Sequence, residues 1–317
     1  MNSPMITGLR GSGAMLPTPF RFGRVDYEAF EGLCLRLIEH GTAALVPCSA
    51  AGEAALLTLA EQHRLVATAV DAARGRVPIL AAIGSNNPAT AVELARSAEY
   101  AGASALLCAA PIYLKPAPAG VIAHFEAIHN AVRIPIILND VPARTACPLS
   151  DVSVKRLSAL RRVIGLADAS SDIARVDRLR RRLGNHFSLL SACDATQSAF
   201  RAAGGHGCLS ITANVAPALC AALHRAHDEN RLADVMHLDH VLAPLHRALF
   251  LEPNPIPLKR ALFRLGLIDD GLRLPMSPLK PATDRRLAVV LAQIQPAERD
   301  EALRFAAARP LIPPRAA

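Results

Sequence analysis

Eight short apolar runs, nearly all separated by segments of helix length, set the tightest limit on how this chain can fold. The runs are Ala14–Leu16, Ala43–Pro47, Pro78–Ala82, Ala105–Cys108, Ile134–Leu138, Val163–Leu166, Phe187–Ser191 and Gly207–Ile211. Between them lie amphipathic stretches near Tyr27–His40, Leu59–Ala73, Pro88–Tyr100, Ala119–Ala131, Asp151–Leu160, Asp172–Leu183 and Ala195–Ala203. Alternating strand and helix predicts a parallel sheet. Runs this apolar suit strands covered on both faces. Eight such units closing on themselves give an α/β fold of the (β/α)8 TIM-barrel type, using about 230 residues. From Ala216 onward no strand is legible. Helices are expected near Ala216–Glu229, Leu232–Leu249, Ile256–Leu265 and Asp284–Ile294, followed by a frayed, Pro-rich tail. The expected organisation is therefore a barrel over residues 1–230 and a C-terminal helical region over 231–317. An open doubly wound sheet is the competing fold, but no Gly-rich phosphate turn follows the first run.

Composition narrows the function classes. Half of the chain is apolar, which allows a sizeable core, while 4% aromatic residues and no Trp argue against a stacking surface for nucleic acid. The formal charge of +8 comes mainly from Arg, since Lys115, Lys155, Lys259 and Lys280 are the only lysines. The densest basic run, Arg175, Arg178, Arg180, Arg181 and Arg182, reads as a solvated helix face. Seven cysteines without a CxxC pair read as reduced, buried thiols. No signal-peptide pattern or membrane-length apolar run is visible, so a soluble cytoplasmic protein without a membrane partner is expected. His237 and His240, like His124 and His129, lack converging Cys or carboxylates, and no metal site is expected.

In a barrel of this type the chemistry sits where the strands end in βα loops. The second strand exits at Ser49-Ala50-Ala51-Gly52-Glu53 and the fourth at Pro111-Ile112-Tyr113. The fifth exits at Asn139-Asp140-Val141-Pro142-Ala143-Arg144-Thr145, the sixth at Ala167-Asp168-Ala169 and the seventh at Cys193-Asp194. Gly52 either lets backbone N–H groups approach an anion or simply makes a turn. Glu53 caps or pairs. Tyr113 delivers a phenol to the cavity or packs at a subunit contact. Arg144 is the strongest ligand candidate, because a guanidinium fork matches a carboxylate. Asp168 and Asp194 read equally as acid–base groups and as helix N-caps. On residues alone the reading is a small-carboxylate site in a barrel.

At these same positions the chain resembles the dihydrodipicolinate synthase/N-acetylneuraminate lyase family, from about Gly13 to Leu287. The resemblance rests on Gly204-Gly205-His206-Gly207 running on to Thr212-Ala213-Asn214-Val215, and on Val141-Pro142-Ala143-Arg144-Thr145. It rests also on Glu252-Pro253-Asn254-Pro255-Ile256-Pro257-Leu258-Lys259 and on Leu272-Arg273-Leu274-Pro275-Met276-Ser277-Pro278. These stretches look closer to the synthase branch. The resemblance implies a homotetramer built as a dimer of dimers, and lysine-imine chemistry with pyruvate that uses no metal or organic cofactor. It also implies departures at the reaction centre. The sixth strand carries Ala167 where the family has its imine-forming lysine, and a methyl group cannot form an imine. Ala50 and Ala51 stand at two hydroxyl positions and Asn139 at that of a tyrosine. Tyr113 survives from the hydroxyl relay and in the family reaches across the dimer. Arg144 is kept as the contact for the second substrate's carboxylate, and Leu209 belongs to the implied substrate-binding set with Ala50, Ala51, Gly52 and Asn139. Backbone N–H groups at Ala51 and Gly52 are expected to hold an anion still. The reading is a synthase-like protein without synthase activity that binds a small carboxylate or keto acid. The alternatives are a lyase or hydratase working by acid–base chemistry from Tyr113, Asp168 or Asp140, and an aldolase using a relocated lysine, Lys115.

Overall fold

The computed structural model describes residues 9–308. Its eight parallel strands are β1 (Gly11–Met15), β2 (Ala44–Val46), β3 (Leu80–Ile83), β4 (Ala105–Ala109), β5 (Ile136–Asp140), β6 (Val163–Asp168), β7 (Ser188–Ser191) and β8 (Gly207–Ser210). They pair in the order β2-β1-β8-β7-β6-β5-β4-β3. The bridge between Leu45 and Ile79 brings β2 to β3 and closes the ring, giving the expected TIM barrel. The outer helices are α1 (Tyr27–Glu39), α2 (Leu59–Ala73), α3 (Pro88–Tyr100), α4 (Pro118–Ala131), α5 (Asp151–Leu157), α6 (Ala174–Leu183), α7 (Gln197–Ala202) and α8 (Pro217–Asp228). After them come α9 (Leu232–Ala248), α10 (Ile256–Arg264) and α11 (Pro281–Ala308).

Local chemistry starts these helices where the sequence suggests. Thr58 and Glu61 form a reciprocal capping box at α2, and Asn87 caps α3 ahead of Pro88. Alternation along each strand then splits the apolar residues into two cores. Val46, Leu107, Ile137, Ala167, Leu190 and Leu209 fill the barrel interior. Leu45, Leu106, Ile136, Leu138, Leu166 and Leu189 face the helices. At the lower end of the barrel a Cβ on Gly207 would run into the Gly11 carbonyl, so the contact between β1 and β8 demands glycine there.

Three expectations change. Strands β5 and β6 each run two residues further than the apolar pattern, which takes Asn139, Asp140, Ala167 and Asp168 out of loops and into the sheet. The last helix does not stop at Ile294 but continues through Pro296 to Ala308, and residues 309–317 of the expected tail lie outside the described residues. Leu287, Leu291, Ile294 and Glu298 form its buried stripe. Glu298 holds that stripe in place by accepting the Ala218 and Leu219 N–H groups at the start of α8, at 2.9 and 3.0 Å. The basic run on α6 is not all solvated either, because Arg175 is buried. Among the described residues no helix is long and apolar enough to cross a membrane.

Candidate functional site

A cavity of about 630 Å³ opens at the C-terminal ends of the strands. Met15, Asn139, Ala169 and Ala192 come from strand ends, and Ala50 and Ala51 from the loop after β2. The segment Phe250–Asn254, between α9 and α10, forms one wall. Its Glu252–Asn254 part was legible as the start of a family stretch, Phe250 and Leu251 were not, and the segment's place over the cavity follows only from the fold.

The extended β5 and β6 decide which side chains can act here. Asn139 pairs with Ala167 across the two strands, and Asp140 with Asp168. Since neighbouring residues point to opposite faces, Asn139 and Ala167 turn inward and both aspartates turn toward the helices. Arg175 Nη1 donates to Asp140 Oδ2 at 2.7 Å and to Asp168 Oδ2 at 3.1 Å, while Nε donates to Asp151 at 3.0 Å. The Leu149 carbonyl accepts from Nη2. Asp168 also accepts the Ser170 N–H at 2.7 Å. Burial raises the Asp140 pKa, and its bonds to Arg175 oppose that rise. The acid–base roles considered for Asp140 and Asp168 are thus corrected: both serve a buried ion network behind the barrel wall. Asp194 is likewise bound up, taking the Ser210 hydroxyl and the Ile211 and Thr212 N–H groups that shape the loop after β8.

The loop after β2 holds a second correction. Ala51 N–H donates to Ser49 Oγ at 3.2 Å and Gly52 N–H to the Ser49 carbonyl at 3.0 Å. Both donors expected to cradle an anion are used inside the turn. Gly52 is packed beneath the loop rather than lining the cavity; a Cβ there would come within 3.1 Å of the Leu16 carbonyl. Glu53 pairs, with Oε1 accepting from Lys259 Nζ at 2.7 Å in a site where both side chains are 1% exposed. That ammonium also lies 4.1 Å from the centre of the Phe20 ring.

Of the remaining candidates, Arg144 fits its expected place. It lies on the single turn Pro142–Thr145, lines the cavity, and is steadied by Nη2 donating to the Asn254 carbonyl at 2.9 Å. Among the described residues no carboxylate is within ion-pair reach of it. Asn139 Oδ1 and Asn254 Oδ1 are buried acceptors without a partner among the described residues, and both residues line the cavity. Ala167 is fully buried between Asn139 and Leu190. Leu209 lies deeper, in the barrel core, and does not reach the cavity. Tyr113 stands apart: it is 87% exposed at a left-handed φ of 66° and does not line the cavity of its own chain. Cys193, partly exposed, does line it. Among the described residues Arg144 is the one cation lining the cavity, alongside Asn139, Asn254, the Glu252 side chain and a largely apolar wall, and its guanidinium suits a carboxylate.

Comparison with known proteins agrees with the fold. The model of the dihydrodipicolinate synthetase family matches residues 9–294. The 4-hydroxy-tetrahydrodipicolinate synthase of Methylobacterium radiotolerans is 46% identical over 277 residues, covering 87% of this chain and 93% of its own. The solved structure of the same enzyme from Methylacidiphilum fumariolicum superposes with a TM-score of 0.90 at 32% identity, covering 93% of this chain and 99% of that one. The chloride-inhibited dihydrodipicolinate synthase of Acinetobacter baumannii, solved in complex with pyruvate, gives 0.88 at 34% identity over 90% of this chain and 99% of that one.

Proposed function

The chain belongs to the dihydrodipicolinate synthetase family, and we propose that it is a synthase-like member whose cavity binds a small carboxylate or keto acid without forming an imine. The carrying observation is Ala167, a fully buried methyl group beside Asn139 in the barrel wall. The resemblance places the imine-forming amine there, and an alanine methyl group can form no imine and hence no enamine from a keto acid. The four lysines do not replace it. Lys115 is exposed in the loop after Tyr113, and Lys155 donates to the Arg182 carbonyl at 3.0 Å. Lys280 is exposed, and Lys259 is held by Glu53. None of the four lines the cavity.

Arg144 at the cavity supports ligand binding, and pyruvate in the Acinetobacter baumannii enzyme suggests the ligand's chemical type. The names of the relatives favour a working synthase as the competing reading. A non-imine lyase or hydratase has lost its two aspartate candidates to Arg175, which leaves it Tyr113. We further propose a cytoplasmic homotetramer in which Tyr113, exposed between Ile112 and Leu114, is covered by a second copy.

The test is borohydride trapping with pyruvate followed by peptide mass analysis. No covalent mass increase is expected, while pyruvate or a related keto acid raises the thermal midpoint of the protein and loses that effect in Arg144→Ala. An adduct on any lysine overturns the reading.

A further inference from the structure

The cavity that holds Arg144 presents accessible apolar surface on two sides. Met15 and Ala192 line it from strand ends; both are partly buried and pack against the core inside the barrel. Phe250 and Leu251 line it from the segment between α9 and α10, with Phe250 54% exposed and Leu251 half-buried. Arg144 is itself exposed, and its Nη2 donates to the Asn254 carbonyl at 2.9 Å, which ties the guanidinium to that same segment. A carboxylate held by Arg144 therefore lies beside the stretch that carries Phe250 and Leu251. Whatever group that carboxylate bears comes within reach of them.

Charged partners are few. Against Arg144 stands one lining carboxylate among the described residues, Glu252, which accepts the Lys280 N–H at 3.2 Å. A second carboxylate on the ligand would meet Glu252 and find no second cation along the lining. The Ala51 and Gly52 N–H groups are spent inside their turn. The volume of about 630 Å³ falls in the range of pockets, about 300–1,000 Å³, whose affinity comes from apolar contact fixed in orientation by a few polar groups. Pyruvate has a methyl group as its whole apolar part and covers little of this surface.

We infer that the ligand of this cavity is a monocarboxylate with an aromatic or branched apolar body. Its carboxylate sits on Arg144, and its body lies between Met15 and Ala192 on one side and Phe250 on the other. The inference rests on the reading of the cavity as a keto-acid site without an imine, and adds to it the size and charge of the ligand.

Calorimetric titration of the full-length protein with phenylpyruvate, pyruvate and 2-oxoglutarate at matched ionic strength tests this. Phenylpyruvate is expected to bind about tenfold or more tighter than pyruvate, because only it covers the apolar walls. The dicarboxylate is expected to bind no tighter than pyruvate. Arg144→Ala should weaken phenylpyruvate about tenfold or more. Phe250→Ala, at a half-exposed position, should weaken phenylpyruvate about fivefold and leave pyruvate unchanged, with the thermal midpoint of the unliganded protein preserved. Pyruvate binding as tightly as phenylpyruvate, with both lost in Arg144→Ala, would overturn the inference and leave the carboxylate reading standing. So would an affinity for phenylpyruvate that Phe250→Ala does not change, or tighter binding of 2-oxoglutarate. No saturable binding of any of the three up to about 10 mM, or a borohydride-trapped pyruvate adduct, would overturn the inference together with the reading beneath it.

Discussion

Replacing Arg175 with methionine is expected to cost about 3–5 kcal/mol at pH 7, because it leaves buried carboxylates without their countercharge. Arg175 is 6% exposed, and through one nitrogen it serves Asp140 and Asp168, which are 1% and 4% exposed. Water cannot take over those contacts without opening the packing of α6 on β5 and β6. The sign of the pH dependence follows from Asp140, whose folded pKa already stands above its ordinary value through burial. Removing the guanidinium removes what opposes the rise, so the pKa climbs further. A carboxyl raised in the folded state is comfortable at low pH and costs stability as pH rises from the ordinary carboxylate value through the folded one. The deficit of the variant should therefore grow between pH 5 and pH 7, at up to about 1.4 kcal/mol per pH unit from Asp140. Thermal unfolding at a fixed scan rate reads it as a drop on the order of 5–10 °C at pH 7, and a smaller one at pH 5. Arg175→Lys is expected to recover only part, since an ammonium cannot span three carboxylates and a carbonyl. A loss below about 1 kcal/mol, or one equal at both pH values, would refute the reasoning.

Two further expectations concern other groups. Burial raises the Glu298 pKa to about 7, against the pull of the Leu219 and Ala218 N–H groups and Arg36; stability from this site is present below the ordinary glutamate range and lost as pH rises toward 7. Glu298→Gln should flatten that decline, and a variant whose thermal midpoint falls between pH 5 and 7.5 as steeply as the parent's would contradict the assignment. Cys193 is the one partly exposed thiol, while Cys34, Cys108, Cys208 and Cys220 are buried with raised pKa values and Cys48 is pushed up to about 12. A disulfide reagent should label Cys193 first, with protection by any keto acid that occupies the Arg144 cavity; rapid labelling of a second thiol, or no protection at saturating ligand, would count against that placement.

The barrel was legible because its signal is local and repeated. Each strand announces itself as a short run without charge, and α2 and α3 begin where Thr58 and Asn87 provide caps. Arg144 was legible as a residue of the fifth strand's exit, and the structure places it at the cavity. The ends of β5 and β6 were not. Asn139, Asp140, Ala167 and Asp168 read as loop residues because polar groups break the apolar run, yet the ladder continues through them. Two residues of extra strand are enough to turn Asp140 and Asp168 away from the cavity.

The sequence by itself determined the strand–helix rhythm, the family stretches and the presence of alanine at 167, since these depend on residue type and spacing alone. Only the tertiary structure decided that Asp140, Asp168 and Glu53 are tied to Arg175 and Lys259, and that Ala51 and Gly52 spend their N–H groups on Ser49. Arg175 lies 35 residues from Asp140, and Lys259 lies 206 from Glu53. A partner that far along the chain leaves no periodic mark, and it is the partner that fixes whether a charged group is free to meet a ligand.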